Sequence, residues 1–247
     1  EYLDRSPGRL RPYYGTQVVG VRTGDRVTVT LQDGATIRAR SVVGCDGARS
    51  AVRTAIGQEL VGDAMNQAWG VIDVLAVTDF PDIRFKCTVH SAEHGNLLII
   101  PREGGYLVRL YIELDSTEGV TPETLAGVAN RILHPYSIDV RDVGWWSVYE
   151  IGQRLCDRFD DGGASPRVFI AGDACHTHSA KAGQGMNVSM ADTWNLGWKL
   201  GAVLRGTARP ELLHTYSEER QKVAEQLCDF DREFAKMFSA HPTESGG

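Results

Sequence analysis

Eleven consecutive residues constrain the fold most: Val168-Phe169-Ile170-Ala171-Gly172-Asp173-Ala174-Cys175-His176-Thr177-His178. An apolar run ends in Gly-Asp, and a glycine-rich stretch, Ala182-Gly183-Gln184-Gly185-Met186-Asn187, follows at once. Such a run reads as a buried strand that delivers a carboxylate to a sheet edge, then a loop, then a helix N-terminus. The arrangement suits a polyhydroxylated, partly anionic cofactor. A second segment, Val42-Val43-Gly44-Cys45-Asp46-Gly47-Ala48-Arg49-Ser50, has the same strand-to-carboxylate shape.

The bulk properties narrow the class. A chain of 247 residues with 42% apolar residues can build one large core or two small ones. A net charge of −6 argues against a nucleic-acid binder, which carries a basic stripe. No apolar run approaches the roughly 18 residues of a membrane span. The five cysteines are scattered, odd in number and without a Cys-x-x-Cys pair, so a reducing, cytoplasmic setting is expected. The chain starts at Glu1 without Met and stops in Ser245-Gly246-Gly247, as a piece of a longer protein would.

Along the chain, residues 16–43 read as β structure. Val27-Thr28-Val29-Thr30-Leu31 alternates, Asp33-Gly34 turns, and Thr36-Ile37-Arg38-Ala39 returns. Ser50 to Ile56 reads as a short helix ended by Gly57. Residues 60–150 read as an inserted sheet. Its strands are Ala68 to Val77, an alternating run over Ile83–His90, Leu97 to Pro101, Tyr106 to Leu114, and Trp145 to Tyr149. Arg102-Glu103-Gly104-Gly105 joins two of them, and Thr121-Pro122 opens a helix to about Leu133. Residues 151–247 return to α/β character. Gln184 to Leu204 is expected as a helix whose Thr193, Gly197 and Gly201 offer a close-packing face. A second helix starts at Pro210, with Leu213, Tyr216, Arg220, Val223, Leu227, Phe230 and Phe234 on one stripe. The expected fold class is therefore α/β (α+β).

Each chemical motif has a plainer counterpart. Asp173, ionised, is a pure acceptor suited to paired hydroxyls, or it is a helix cap. The Gly183-Gln184-Gly185 loop offers backbone N–H groups to negative charge, or it is a turn that needs positive φ. It is not a dinucleotide fingerprint, because Val188 holds the third glycine's place. Cys175, His176 and His178 raise a metal site, weakly, since such short motifs arise by chance. Cys175 reads as a packing residue. Asp46-Gly47-Ala48-Arg49-Ser50, with Arg53, can clamp a pyrophosphate, or Asp46 caps a helix beside solvated arginines.

Together these segments resemble the class A flavoprotein aromatic hydroxylases, the FAD- and NAD(P)H-dependent monooxygenases. Val168–Asn187 is similar to the family's Gly-Asp motif and Gly44–Arg53 to its Asp-Gly motif. Tyr216-Ser217-Glu218-Glu219-Arg220 and Asn195-Leu196-Gly197-Trp198-Lys199-Leu200 also fit. Pro101-Arg102-Glu103, Arg109-Leu110-Tyr111, Trp145-Trp146 and Ile151-Gly152-Gln153-Arg154 resemble the branch of phenol 2-monooxygenase and 3-hydroxybenzoate 4-monooxygenase. The family's N-terminal Gly-x-Gly-x-x-Gly segment and this branch's thioredoxin-like domain have no counterpart here. Ala180 stands where the family usually has proline.

The resemblance implies a partial FAD-binding Rossmann-like domain interrupted by a mainly β substrate domain, divided as 1–59, 60–150 and 151–247. It implies FAD contacts from Asp173, Gly172, Gly183, Gly185, Met186, Asn187, Asp46, Gly47 and Arg49. It implies Tyr111 at the substrate hydroxyl, Arg102 at the flavin, and Lys86 as partner for a substrate carboxylate. The implied reaction uses NAD(P)H and O₂ and a flavin C4a-hydroperoxide to hydroxylate a phenolic ring, with the protein positioning the ring and excluding water. A homodimer and a cytoplasmic location complete the expectation, with no metal, nucleic acid or membrane. The alternatives are another flavoprotein oxidoreductase of this fold, or a fragment without activity of its own.

Overall fold

The computed structural model describes residues 12–178 and 183–239. In chain order the elements are β1 (Val18–Arg22), β2 (Val27–Leu31), β3 (Thr36–Ala39), β4 (Val42–Gly44), α1 (Ala51–Ala55) and β5 (Val61–Thr78). Then come β6 (Cys87–Ser91), β7 (Gly95–Pro101), β8 (Leu107–Leu114), α2 (Pro122–Leu133) and β9 (Ile138–Leu155). The chain closes with β10 (Val168–Ile170), a 3₁₀ turn (Gly172–Ala174), β11 (His176–Thr177), α3 (Gly185–Leu204) and α4 (His214–Ser239). Among the described residues these group into two compact units. The first holds residues 12–61, 155–177 and 184–226, and the second holds 62–154, 178, 183 and 227–239.

In the first unit, β1, β2 and β3 form an antiparallel sheet. Val27 and Val29 are buried, and the β2–β3 turn is closed where the Ala35 N–H donates to Asp33 Oδ1 at 2.9 Å. Positive φ at Gly34 (84°) suits the hairpin. β4 and β10 pair in parallel, in the register Val42↔Val168, Phe169↔Val43 and Ile170↔Gly44. Val168, Phe169 and Ile170 are fully buried and pack with Val52, Phe159, Leu196 and Tyr216. A parallel pair covered in this way reads in sequence as an unbroken apolar run, which is how β10 was legible.

In the second unit, five strands lie in the order β9-β5-β8-β7-β6. Alternation assigns one face to the core: Ile72, Val74, Leu97, Ile99, Val108, Leu110 and Ile112 pack with Leu125, Ala129, Ile132 and Leu133 of α2. Each such aliphatic side chain contributes about 2 kcal/mol of burial. Thr121 caps α2, its hydroxyl accepting from the Thr124 N–H at 3.3 Å, and Pro122 opens it.

Three expectations are corrected. The alternating run over Ile83–His90 is a strand only from Cys87, because Pro81-Asp82 starts a turn in which the Phe85 N–H donates to the Asp82 carbonyl at 2.9 Å. Lys86 is exposed and sits just before β6, not within it. On α3 the buried face carries Asp192, Leu196 and Lys199, while Thr193 and Gly197 are exposed and only Gly201 of the small-residue ridge is half-buried, beside Arg205. On α4 the stripe runs through Tyr216, Arg220, Ala224 and Leu227, and Phe230 lies exposed beside it. Phe234 has no described side chain.

Candidate functional site

The parallel pair brings the two strand ends side by side. The Val42 N–H donates to the Arg167 carbonyl at 2.8 Å, and the Ala171 N–H donates to the Gly44 carbonyl at 3.0 Å. Asp46 and Asp173 therefore lie just beyond neighbouring C-terminal strand ends, where open α/β sheets hold ligands. Both carboxylates are exposed.

The Asp46 loop is built from its own sequence. Gly47 adopts φ 78°, and the Ser50 N–H returns to its carbonyl at 3.0 Å. Asp46 accepts from the Ser50 hydroxyl and from the Val52 N–H, while Ser50 caps α1 by accepting from the Arg53 N–H at 2.9 Å. Asp46 thus caps α1 jointly with Ser50, and these bonds fix its orientation. Arg53 bridges the two loops: its guanidinium donates to the Ala174 carbonyl at 3.1 Å and to the Ala48 carbonyl at 2.8 Å. Arg49 is left exposed, beside the loop.

The Gly172-Asp173 turn depends on a residue that sequence reasoning did not single out. Gly172 has φ 63°, and a Cβ there would meet Ser189 of α3 at 3.1 Å. Its N–H donates to Asp192 Oδ2 at 3.1 Å. The fully buried Asp192 also takes His176 Nε2 at 2.8 Å and Arg220 Nε at 2.7 Å. Burial pushes the Asp192 carboxyl up, but the bonds from His176, Arg220 and Gly172 outweigh it and hold it below the usual carboxylate range. Cys175, His176 and Asp192 could geometrically hold a metal ion. However, Arg220 already neutralises the carboxylate, and burial holds the Cys175 thiol far above its ordinary value, in the non-ligating form.

At the start of α3, Gln184 caps without a side-chain bond and the first turn carries no acidic residue. The N–H groups of Gly185, Met186 and Asn187 lie in this first turn, where a helix N-terminus favours negative charge. Gly183 adopts φ 69°, and Met186 and Asn187 are exposed. Ala180 lies outside the described residues.

In the second unit the sheet face opposite α2 carries polar groups. Tyr111 and Arg109 share that face, paired with Val71 and Asp73 of β5. Arg109 grips Asp73 in bidentate fashion, Nε to Oδ1 at 2.6 Å and one terminal nitrogen to Oδ2 at 2.7 Å. It also lies 5.2 Å from the Trp145 ring centre, on the same strand face as Tyr111. The bond from Asp73, first, raises the Arg109 pKa. Burial, then Tyr111, pushes Tyr149 up to about 12. Arg102 closes the hairpin, its N–H donating to the Leu107 carbonyl at 2.9 Å. Its side chain bonds Glu103 and stands 3.9 Å from Asp73. Tyr111, Arg109 and Arg102 are thus gathered around Asp73, a second residue the sequence did not mark; exposed Lys86 is not among its ionic partners.

These features define a class: an α/β cofactor-binding chain in which parallel strands carry carboxylates to a helix N-terminus, with a separate antiparallel unit presenting a Tyr/Arg face. The chain belongs to the FAD binding domain family, which matches residues 5–231. It is 58% identical to the 3-hydroxybenzoate 4-monooxygenase of Comamonas testosteroni over 278 aligned positions, covering all of this chain and 43% of that protein. It is 44% identical to the phenol 2-monooxygenase fsqG of Aspergillus fumigatus, over 86% of this chain and 38% of that one. Among solved structures, the anhydrotetracycline hydroxylase OxyS from Streptomyces rimosus superposes with a TM-score of 0.80 at 31% identity, over 94% of this chain and 47% of its own. The chain spans less than half the length of each of these relatives.

Proposed function

We propose that the whole protein is an FAD-dependent monooxygenase that hydroxylates a phenolic aromatic ring. One O₂ and one NAD(P)H are consumed, one oxygen atom enters the ring and the other leaves as water. The observation that carries this reading is the β4–β10 parallel pair, with Asp46 and Asp173 at adjoining strand ends, in a chain 58% identical to a 3-hydroxybenzoate 4-monooxygenase.

The residues present fit FAD. Exposed Asp173 accepts from sugar-like hydroxyls, and the open turns at Gly172 and Gly47 let a ligand approach the backbone. The first-turn N–H groups of Gly185, Met186 and Asn187 favour an electron-rich edge. When bound, FAD supplies the transfer of reducing equivalents from NAD(P)H to oxygen. Arg49 is assigned to the anionic part of FAD and Gly183 to the turn that leads into α3.

Tyr111 is assigned to the substrate hydroxyl. Arg109, anchored by Asp73, stands beside it on the same strand face, and Arg102 is assigned to the flavin side. Tyr149 stays protonated throughout the working pH range and acts as a neutral donor nearby. Lys86, exposed just before β6, is assigned to a substrate carboxylate. The domain division 1–59, 60–150 and 151–247, a homodimer and a cytoplasmic setting belong to the same proposal.

Turnover by the whole protein tests it. The flavin should be visible in the purified enzyme, and 3-hydroxybenzoate should be preferred to phenol. Lys86→Met should raise the 3-hydroxybenzoate KM about tenfold while leaving phenol turnover unchanged, the effect of losing one charge-assisted contact. An unchanged KM removes Lys86 from the substrate site, and colourless active enzyme removes FAD.

A further inference from the structure

We infer that Asp192 is the positioning residue of the cofactor wall: its buried carboxylate sets the Gly172-Asp173 turn against the start of α3. The inference rests on the assignment of that wall to FAD.

Asp192 lies at the middle of a cluster drawn from three places in the chain. Oδ2 takes the Gly172 N–H at 3.1 Å and His176 Nε2 at 2.8 Å, and Oδ1 takes Arg220 Nε at 2.7 Å. Arg220 reaches on to the Val188 carbonyl at 3.3 Å, in the first turn of α3. One carboxylate and one guanidinium thereby tie together the turn that carries Asp173, the strand residue that follows it, and the first turn of α3. The Asp173 side chain is exposed and bonds no described residue, so the backbone at Gly172 sets where it starts from.

Every partner of Asp192 is a donor. A carboxylate satisfies them all, because it is acceptor-only with room on both oxygens. An asparagine of the same shape must turn its amide N–H₂ either toward Arg220 or toward Gly172 and His176. Either choice sets donor against donor in a dry site and releases the turn or the helix start. The close approach of Gly172 to Ser189, 3.1 Å from a hypothetical Cβ, leaves no room for the turn to readjust by sliding toward α3.

A role in core stability alone would also make Asp192→Asn costly, so the readout is FAD affinity of folded protein. Apo whole protein is prepared from wild type, Asp192→Asn, Arg220→Lys, Asp173→Ala and Glu219→Gln. Circular dichroism and thermal melting fix a temperature at which each is folded, and FAD binding is followed there by flavin fluorescence quenching. Glu219→Gln is the control: it strips the carboxylate from the buried Lys199 ammonium, 2.8 Å away, and leaves every bond of Asp192 in place. Its FAD dissociation constant should match wild type. Asp192→Asn should bind FAD about tenfold more weakly, the worth of one hydrogen bond to a charged group. Arg220→Lys, which keeps the charge but loses the fork, should bind roughly threefold more weakly.

Folded Asp192→Asn and Arg220→Lys with wild-type FAD affinity would overturn the inference. So would failure of both to fold, which assigns the cluster to the core, and so would an equal loss in Glu219→Gln. Wild type and Asp173→Ala separate this inference from the functional one: wild-type protein that binds no FAD overturns the FAD reading itself, and Asp173→Ala with wild-type FAD affinity overturns the premise that the turn presents Asp173 to FAD.

Discussion

At the scale of single residues, the Asp73–Arg109 pair anchors the strand face that carries Tyr111. Asp73 is nearly buried, and its carboxylate is neutralised by a bidentate guanidinium. Breaking a pair of this kind leaves an uncompensated charge, which costs more than the pair was worth. Asp73→Asn should therefore free Arg109 and misplace Tyr111. The expected result in the whole enzyme is a loss of about tenfold in kcat/KM for the phenolic substrate, read by steady-state kinetics with flavin content unchanged. Equal kcat/KM would show that Tyr111 is held by other means. The shared face of Arg109 and Tyr111 was legible in the sequence, because strand side chains alternate with period two. Asp73 was not, since it meets Arg109 across a separation of 36 residues.

At the scale of elements, the closeness of β4 and α1 is set by one glycine. A Cβ at Gly44 would lie 2.6 Å from Val52 Cβ, a branched side chain that cannot swing away. Gly44→Ala should destabilise the first unit by about 1–3 kcal/mol through overpacking and lower Tm by several degrees. Calorimetry of the variant against wild type checks it, and an unchanged Tm would mean that α1 shifts freely on the sheet. The glycine was visible in the sequence as part of a strand-to-carboxylate motif; its steric purpose was not. The helix faces show the same limit. Spacing correctly gave α3 its length, but the ridge of Thr193 and Gly197 faces outward and the packed side holds Asp192 and Lys199. Helix periodicity locates a stripe, whereas burial of a charged residue depends on which partners other elements bring to it.

At the scale of the whole molecule, acid sensitivity follows from the same buried carboxylate. Asp192 faces His176, Arg220, the Cys175 thiol and the Gly172 N–H, and its folded-state pKa is held below the ordinary value. A depressed carboxylate stabilises the fold above its unfolded pKa of about 3.9 and loses that contribution as pH falls through the lower folded value. Urea midpoints of wild type should thus fall below about pH 4, and the gap to Asp192→Asn should narrow there. A gap that stays constant from pH 6 to pH 3 would contradict the assignment. What the sequence determined by itself was local: the hairpin at Asp33-Gly34, the capped start of α2, the apolar β10 strand, and the likeness that places the chain in the FAD binding domain family. These follow from φ preferences, capping groups and side-chain period, all written in neighbouring residues. Only the tertiary structure decided that Arg53 reaches Ala174 across 121 residues, and that Asp192 gathers Gly172 and Arg220 from 20 and 28 residues away. A buried charge is tolerable only where donors converge on it, and convergence is a property of the fold, not of any stretch of the chain.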